Sequence, residues 1–386
     1  MDATAARPRP QNQVPEAEYR AMCRDFTARE VAPRWAEADR KAEFPVAYYH
    51  AAAAAGLVGI TAPEDLGGSA LGATEEMICL EETCKVNPNL SVALIVQNIA
   101  GSLLHDYGAA QHREIAARNI AGECLLGIAV TEPEAGNDVQ NVRTRAVREG
   151  DTWVLNGSKA FITLGGIADV LVLLAQTDPA QGRRGMRFFA VDRDSPGLVP
   201  KKMPMYANRP SPTYELSLTD VAVPESRRID AGFSEIMAGF NRERLMVCGR
   251  WLGHMQHALA WGVEYAQTRH TFGRPIGANQ SIAFQLAQCH LDVEAARRLS
   301  YHAAAQWDSG RPLREIIMDV STAKLYVTQA VVRVTQTALH VGGGWALSEE
   351  LPAMRRAIDS LVAPVTVGST EIQLRIIARQ MGLPCD

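Results

Sequence analysis

Apolar positions divide the chain into three stretches. Up to about residue 120 they recur three and four apart, as at Met22, Phe26 and Val31 within EYRAMCRDFTAREV. That spacing predicts helices with one buried face. PEDLGG (Pro63–Gly68) and NPNLS (Asn87–Ser91) punctuate them with turn residues. From about residue 122 the period shortens. LLGIAV, TWVLNG, VLVLLAQT, MRFFAVD and YELSLTDVAVP read as strands, and EPEAGND, NGSK, DSPG and VPES separate them. This middle stretch reads as a compact antiparallel β domain. After about residue 230 the helical period returns. Between Asn241 and Thr271 one stripe runs through Leu245, Cys248, Leu252, Met255 and Leu259. Two more helices are expected over about 279–308 and 312–340. VGGGW (Val341–Trp345) breaks the pattern before a last helix.

Composition narrows the function. The chain has 386 residues, 47% of them hydrophobic and 21% charged, which is ordinary globular material. A net charge of −4 gives no basic field for nucleic acid or an anionic membrane. The seven cysteines form no C-x-x-C, so neither a structural metal site nor a disulfide framework is expected. A reducing compartment, the cytoplasm, follows. The leading MDATAARPRPQNQ has no apolar core of a secretory signal. No apolar run is long enough to span a bilayer. No G-x-G-x-x-G follows a strand, so no Rossmann unit is marked.

Four segments could carry chemistry. AVTEPEAGND (Ala129–Asp138) brings a strand into a loop, with the Thr131 hydroxyl and backbone N–H groups able to bond a polar ring or phosphate. NGSKAFITLGG follows; its Asn156-Gly157 pair is a hairpin signal, and Phe161 and Thr163 fall on one strand face. In YAQTRHTFGRPIGANQ, Arg269 and Phe272 sit near a helix end stopped by Gly273. Arg269 could clamp a phosphate in bidentate fashion. PVTVGSTEIQ (Pro364–Gln373) places Val367 before a glycine, then opens the last helix at Ser369 and Thr370. Taken singly, a surface turn, a core phenylalanine, a solvated arginine and a helix start explain each.

Together, and in this order, AVTEPEAGND, NGSKAFIT, RPSPTYELSLTDVAVPE, TRHTFGRPI and GSTEIQ resemble the signatures of the acyl-CoA dehydrogenase flavoprotein family. The resemblance covers essentially the whole chain. It implies an α+β architecture: an N-terminal helical domain (1–121), a middle antiparallel β domain (122–228) and a C-terminal four-helix bundle (229–386). It also implies bound FAD at subunit contacts of a homotetramer or homodimer, and an acyl-CoA or acyl-carrier-protein substrate. Electron-transfer flavoprotein is the implied acceptor. By the same resemblance, Val130, Thr131, Asn137, Phe161 and Thr163 lie at the flavin ring. Arg269, Phe272 and Gln280 reach the FAD of a neighbouring subunit, beside Gly342 and Gly343. Ser369 and Glu371 contact FAD at the start of the last helix. Asn137, Asn241, Arg244, Val367 and Gly368 border the substrate, whose acyl group would lie near Val92 and Val96.

Many members of the family carry their catalytic glutamate immediately before that last glycine. Here the residue is Val367, which cannot move a proton. FNRERLMV (Phe240–Val247) offers Glu243 instead, at the position used by the isovaleryl-CoA and long-chain members. A carboxylate near a helix start has another explanation, the helix dipole. Ile358 stands where an arginine is usual before Asp359. The expected activity is FAD-dependent acyl-thioester dehydrogenation to a 2,3-enoyl thioester. A flavin monooxygenase on the same fold is the alternative, and a DNA-binding relative is disfavoured by the charge.

Overall fold

The computed structural model describes residues 10–385; most of the leading MDATAARPRPQNQ lies outside them. The N-terminal layer holds α1 (Glu16–Phe26), α2 (Trp35–Lys41), α3 (Val46–Ala54), α4 (Ala73–Cys84), α5 (Val92–Tyr107) and α6 (Ala110–Ile120). A single π turn, Thr27–Val31, extends α1. α4 and α5 are buried on nearly every side. Elements on all sides cover them, so their polar positions need internal partners.

The middle layer is one sheet. Its strands are β1 (Leu126–Ala129), β2 (Arg145–Glu149), β3 (Thr152–Thr163), β4 (Val170–Gln176), β5 (Met186–Asp192), β6 (Leu198–Lys202), β7 (Thr213–Pro224) and β8 (Arg228–Ile229). The order is β6-β7-β3-β2-β4-β5-β8, with β1 beside β4. Pairing is antiparallel except that β1 and β2 meet β4 in parallel. Asn156-Gly157 does not turn a hairpin. The β2–β3 connection is made at Gly150 and Asp151, and Asn156-Gly157 lies inside β3 at an irregularity against β7. Asn156 Nδ2 donates to Asp220 Oδ1 at 3.0 Å and its Oδ1 accepts from Asp220 N at 2.9 Å. Gly157 has φ +152, and a Cβ there would stand 2.6 Å from Thr144 Oγ1. The glycine therefore answers a close strand approach, not a turn.

The C-terminal layer is a bundle of α7 (Phe233–Thr268), α8 (Gln280–Asp308), α9 (Leu313–Gly342) and α11 (Thr370–Gln380), with the short α10 (Ala353–Ser360) at one end. A two-stranded ribbon, β9 (His270–Thr271) and β10 (Arg274–Pro275), joins α7 to α8. α7 begins at Phe233 instead of Asn241 and ends at Thr268 instead of Thr271. Its first turns pack Ile236 into the core shared by α5 and the sheet, with Phe233, Met237 and Phe240 against it. That packing carries the helix through Gly239. Glu243 consequently lies well inside the helix, where a terminal dipole does not explain it.

α7 is the shaft of the molecule. Trp251, Leu252 and Met255 are fully buried in a core shared with α1, α3, α4 and α9. A second link is polar. The Asp308 carboxylate at the end of α8 takes the N–H groups of Ala73 (2.8 Å) and Thr74 (3.0 Å), capping α4. Gly72 cannot cap for itself, and a Cβ on it would stand 2.7 Å from that carboxylate. Among the described residues no helix is long and apolar enough to cross a membrane. No cluster suited to a metal ion occurs among them either.

Candidate active site

The site is built around the turn before α11. Val367 has φ 56 and Gly368 φ 77, two consecutive residues in the left-handed region. A β-branched side chain is sterically opposed to that conformation. Three side chains hold it. Lys324 Nζ of α9 donates to Gly368 O at 2.7 Å, and Gln373 Nε2 donates to the same oxygen at 3.0 Å. Arg244 Nε of α7 donates to Val367 O at 3.5 Å. Gly368 cannot be replaced freely, since a Cβ would meet Gln373 Nε2 at 2.9 Å and Arg244 Nη2 at 3.3 Å.

Glu243 stands next to this turn, one residue before Arg244. It is half-buried and has neither ion pair nor hydrogen bond among the described residues. Burial pushes its carboxyl up to about 7, against the pull of Arg244, Arg250 and Lys324. Arg244 is itself buried and drawn down to about 10, with Glu243 acting the other way. Its Nη1 donates to Asn241 Oδ1, and Asn241 Nδ2 donates to Met237 O at 2.8 Å. The structure thus brings Glu243, Asn241, Arg244, Val367 and Gly368 together.

The loop after β1 meets the same turn. Asn137 Nδ2 donates to Ser369 Oγ at 3.1 Å, and Ser369 N donates back to Asn137 Oδ1 at 3.3 Å. Ser369 is the residue before α11, and it helps hold the exposed Glu371 below the usual carboxylate range. Beneath the loop lies a pair that reading the sequence missed. Lys159 is fully buried and donates to Glu132 Oε1 at 2.8 Å and to Val130 O at 3.0 Å. Glu132 also accepts from Arg143 N at 2.7 Å and Thr144 N at 2.9 Å. Burial opposes the Glu132 charge, yet Lys159 and these donors hold its carboxyl below the usual range; burial draws Lys159 down to about 8. Val130 and Thr131 are fixed by that pair and by the bond from Ala160 N to Thr131 O at 2.9 Å. Phe161 follows in the left-handed region at φ 59, where β3 slips against β7, and is 56% exposed. Thr163 ends β3, half-buried and paired with Thr213.

A second group stays apart. Arg269 follows the end of α7, and Phe272-Gly273 forms the ribbon tip at φ 51 and 77. Phe272 is completely exposed, and Gln280, at the start of α8, is exposed too. Gly342 ends α9 against Trp261, whose ring would be 2.6 Å from an added Cβ, and Gly343 follows at φ 58. From Glu243 to Thr268 the helix rises by about 37 Å at ~1.5 Å per residue. One chain does not bring these five residues to its own Glu243.

A cavity of about 1060 Å³ opens on a different side of α7. Leu103, Tyr107, Arg183, Phe233, Met237 and Arg242 are among its walls, and the Arg183 guanidinium lies 5.5 Å from the Phe233 ring centre. Neither Glu243 nor Val92 nor Val96 lines it. Volume alone would have pointed away from the carboxylate.

One end of the site thus holds a half-buried carboxylate without a partner beside a left-handed turn, and the loop after β1, which carries Asn137, is bonded to that turn. Comparison with known proteins agrees. The acyl-CoA dehydrogenase N-terminal, middle and C-terminal domain models match residues 15–123, 127–221 and 230–382. An acyl-CoA dehydrogenase of Bacillus subtilis is 34% identical over 371 residues, covering 94% of this chain and 96% of the relative. The butyryl-CoA dehydrogenase structure from Megasphaera elsdenii superposes with a TM-score of 0.90 at 30% identity, covering 96% and 99%. The FAD complex of PigA superposes at 0.91 with 26% identity, over 96% and 99%. The chain belongs to the acyl-CoA dehydrogenase family.

The residues present fit FAD. Phe161 is an exposed aromatic held in a strained conformation at the loop mouth, and Phe272 is an apolar side chain with no cover in its own chain. Both are suited to a flat heterocycle or its neighbour subunit.

Proposed function

We propose that Glu243 is the base of this FAD-dependent acyl-CoA dehydrogenase. The observation that carries it is a desolvated, unpartnered carboxylate poised near neutral pH beside the Val367–Gly368 turn. Val367 offers only its backbone N–H, which the side-chain change leaves intact. In this reading that N–H bonds the thioester oxygen and acidifies the α-carbon. Glu243 takes the α-proton and ends protonated. Bound FAD supplies the acceptor for the hydride of the β-carbon, leaving a 2,3-enoyl thioester. Val130, Thr131, Asn137, Phe161, Thr163, Ser369 and Glu371 would hold one flavin. Arg269, Phe272, Gln280, Gly342 and Gly343 would serve that of a second copy. The distance along α7 supports this division and with it a homodimer or homotetramer.

Asn241 and Arg244 are assigned to the acyl carrier, which we take as CoA, with a phosphopantetheine arm as the second possibility. Short or medium branched acyl groups, electron-transfer flavoprotein as acceptor and domain seams at 121/122 and 228/229 complete the reading. Seven free cysteines, six of them buried, support a cytoplasmic site of action. The test is an anaerobic titration of the FAD-bound protein with short, branched and long acyl-CoAs and one acyl-carrier protein. Bleaching of flavin absorbance by an acyl thioester is expected. No bleaching by any thioester, together with NADH-linked oxygen consumption, would instead favour the monooxygenase.

A further inference from the structure

We propose that Lys324 is a positioning residue for this reaction: its ammonium clamps the Gly368 carbonyl and so fixes the left-handed turn that presents the Val367 N–H to substrate. The inference rests on the reading above and adds a residue to it.

Lys324 is fully buried in α9, among the apolar Val320, Ala323, Val327 and Val331 of the same helix. A buried ammonium is costly unless a partner compensates it. The partner here is a single backbone carbonyl, at 2.7 Å. An apolar side chain would fill the position more cheaply if packing were its whole purpose. The charged and ionisable groups around it are Glu243, Arg244 and Cys248 of α7 and Glu371 of α11. It therefore sits between the base and the turn.

The turn needs such a clamp. Val367 is β-branched at φ 56, a conformation that persists only when its surroundings over-determine it. The N–H groups flanking the pair bond inward: Thr366 to Val362 O, Thr370 to Pro364 O and Ser369 to Asn137 Oδ1. Val367 N–H and the adjacent Gly368 N–H have no acceptor among the described residues. An orphan donor beside an unpartnered carboxylate is what a carbonyl substrate requires. Burial draws the Lys324 ammonium down to about 8, so it is protonated at neutral pH, and it takes no part in the proton transfer, which goes to Glu243.

The test uses Lys324→Met in the FAD-bound enzyme. One readout is the red shift in absorbance of a bound conjugated enoyl-CoA, which reports polarisation of its carbonyl. The other is single-turnover flavin bleaching against substrate concentration. The variant is expected to bind the thioester within about threefold of wild type while bleaching at least ~10-fold more slowly. It should lose most of the red shift. Adding Val367→Gly, which removes the strain, should restore part of both. An unchanged red shift in Lys324→Met overturns the proposal, whatever happens to the rate. Where Lys324→Met does not hold FAD, Lys324→Arg decides. With a donor retained the red shift stays, and its loss in a folded, FAD-bound Arg variant overturns the proposal. Failure of the wild-type enzyme to bleach with any thioester would instead sink the dehydrogenase reading.

Discussion

Two glutamates on facing loops and helices behave in opposite ways. Glu132 lies under the loop after β1, and Glu243 lies on α7 beside the Val367 turn. Burial acts to raise both. Glu132 receives two backbone N–H groups and the Lys159 ammonium, and its carboxyl stays below the usual range. Glu243 receives no hydrogen bond, and its carboxyl rises to about 7. The lesson is that burial alone does not fix a carboxylate's protonation; the count of donors does. One region is a settled structural joint. The other withholds partners from a carboxylate and spends strain on a turn, as a reacting site does.

Breaking the joint has the largest expected effect on stability. Lys159→Met leaves Glu132 buried without its counter-charge, a loss of about 3–5 kcal/mol seen in the denaturant midpoint. Lys159→Met with Glu132→Gln should cost clearly less, because no charge is stranded. Equal losses in the two variants would show that the pair is not what pins the loop.

Moving the base sharpens the comparison next. In a Glu243→Gln background, Val367→Glu places a carboxylate on the turn and removes the β-branch. Single-turnover bleaching should recover at least ~10-fold of the activity lost with Glu243. No recovery in an FAD-bound double variant would separate the two positions.

The pH dependences should run in opposite directions. Activity needs ionised Glu243, so kcat/KM should rise about tenfold per unit up to pH ~7, level off, and fall again once the Lys324 ammonium, drawn down by burial to about 8, loses its proton. Stability carries the reverse sign. A folded carboxyl raised from 4.5 to about 7 favours the protonated fold, and that contribution fades as pH rises through this window. Glu243→Gln should therefore gain stability relative to wild type above pH ~7. For Glu132, whose folded carboxyl is depressed, the contribution is present above 4.5 and is lost as pH falls through the folded value. Unfolding midpoints of wild type, Glu243→Gln and Glu132→Gln across pH check both signs.

The smallest effect on chain stability should come from the ribbon tip. Phe272→Asp touches nothing within its own subunit, so unfolding should shift by no more than ~0.5 kcal/mol. FAD retention and oligomer mass should nevertheless fall, as measured by absorbance and light scattering.

Periodicity made the three layers and the long helices legible, and Ser369 does open α11. The misses share a cause: tertiary contacts overrode local signals. Asn156-Gly157 has turn chemistry but serves a close approach to Thr144 within β3. The helical stripe was read only from Asn241, while the first turns of α7 bury Ile236 in a core the sequence does not display. β2 and β6 were missed because RAVRE and LVPKK are short and polar, and β8 because it is only two residues long. Glu132 and Lys159 each sit in a segment that was singled out, yet only the fold shows that they meet. Lys324 interrupts an apolar stripe, and that interruption was the available signal. Ile358 replaces an arginine, and nothing in the structure explains it.

The central claim is that Glu243 moves the proton. Single-turnover flavin bleaching by the best thioester should be compared in wild type and Glu243→Gln, both at full FAD occupancy. A fall of about 100- to 10 000-fold with substrate binding retained is the expected result. Bleaching of the Gln variant at the wild-type rate would contradict the account.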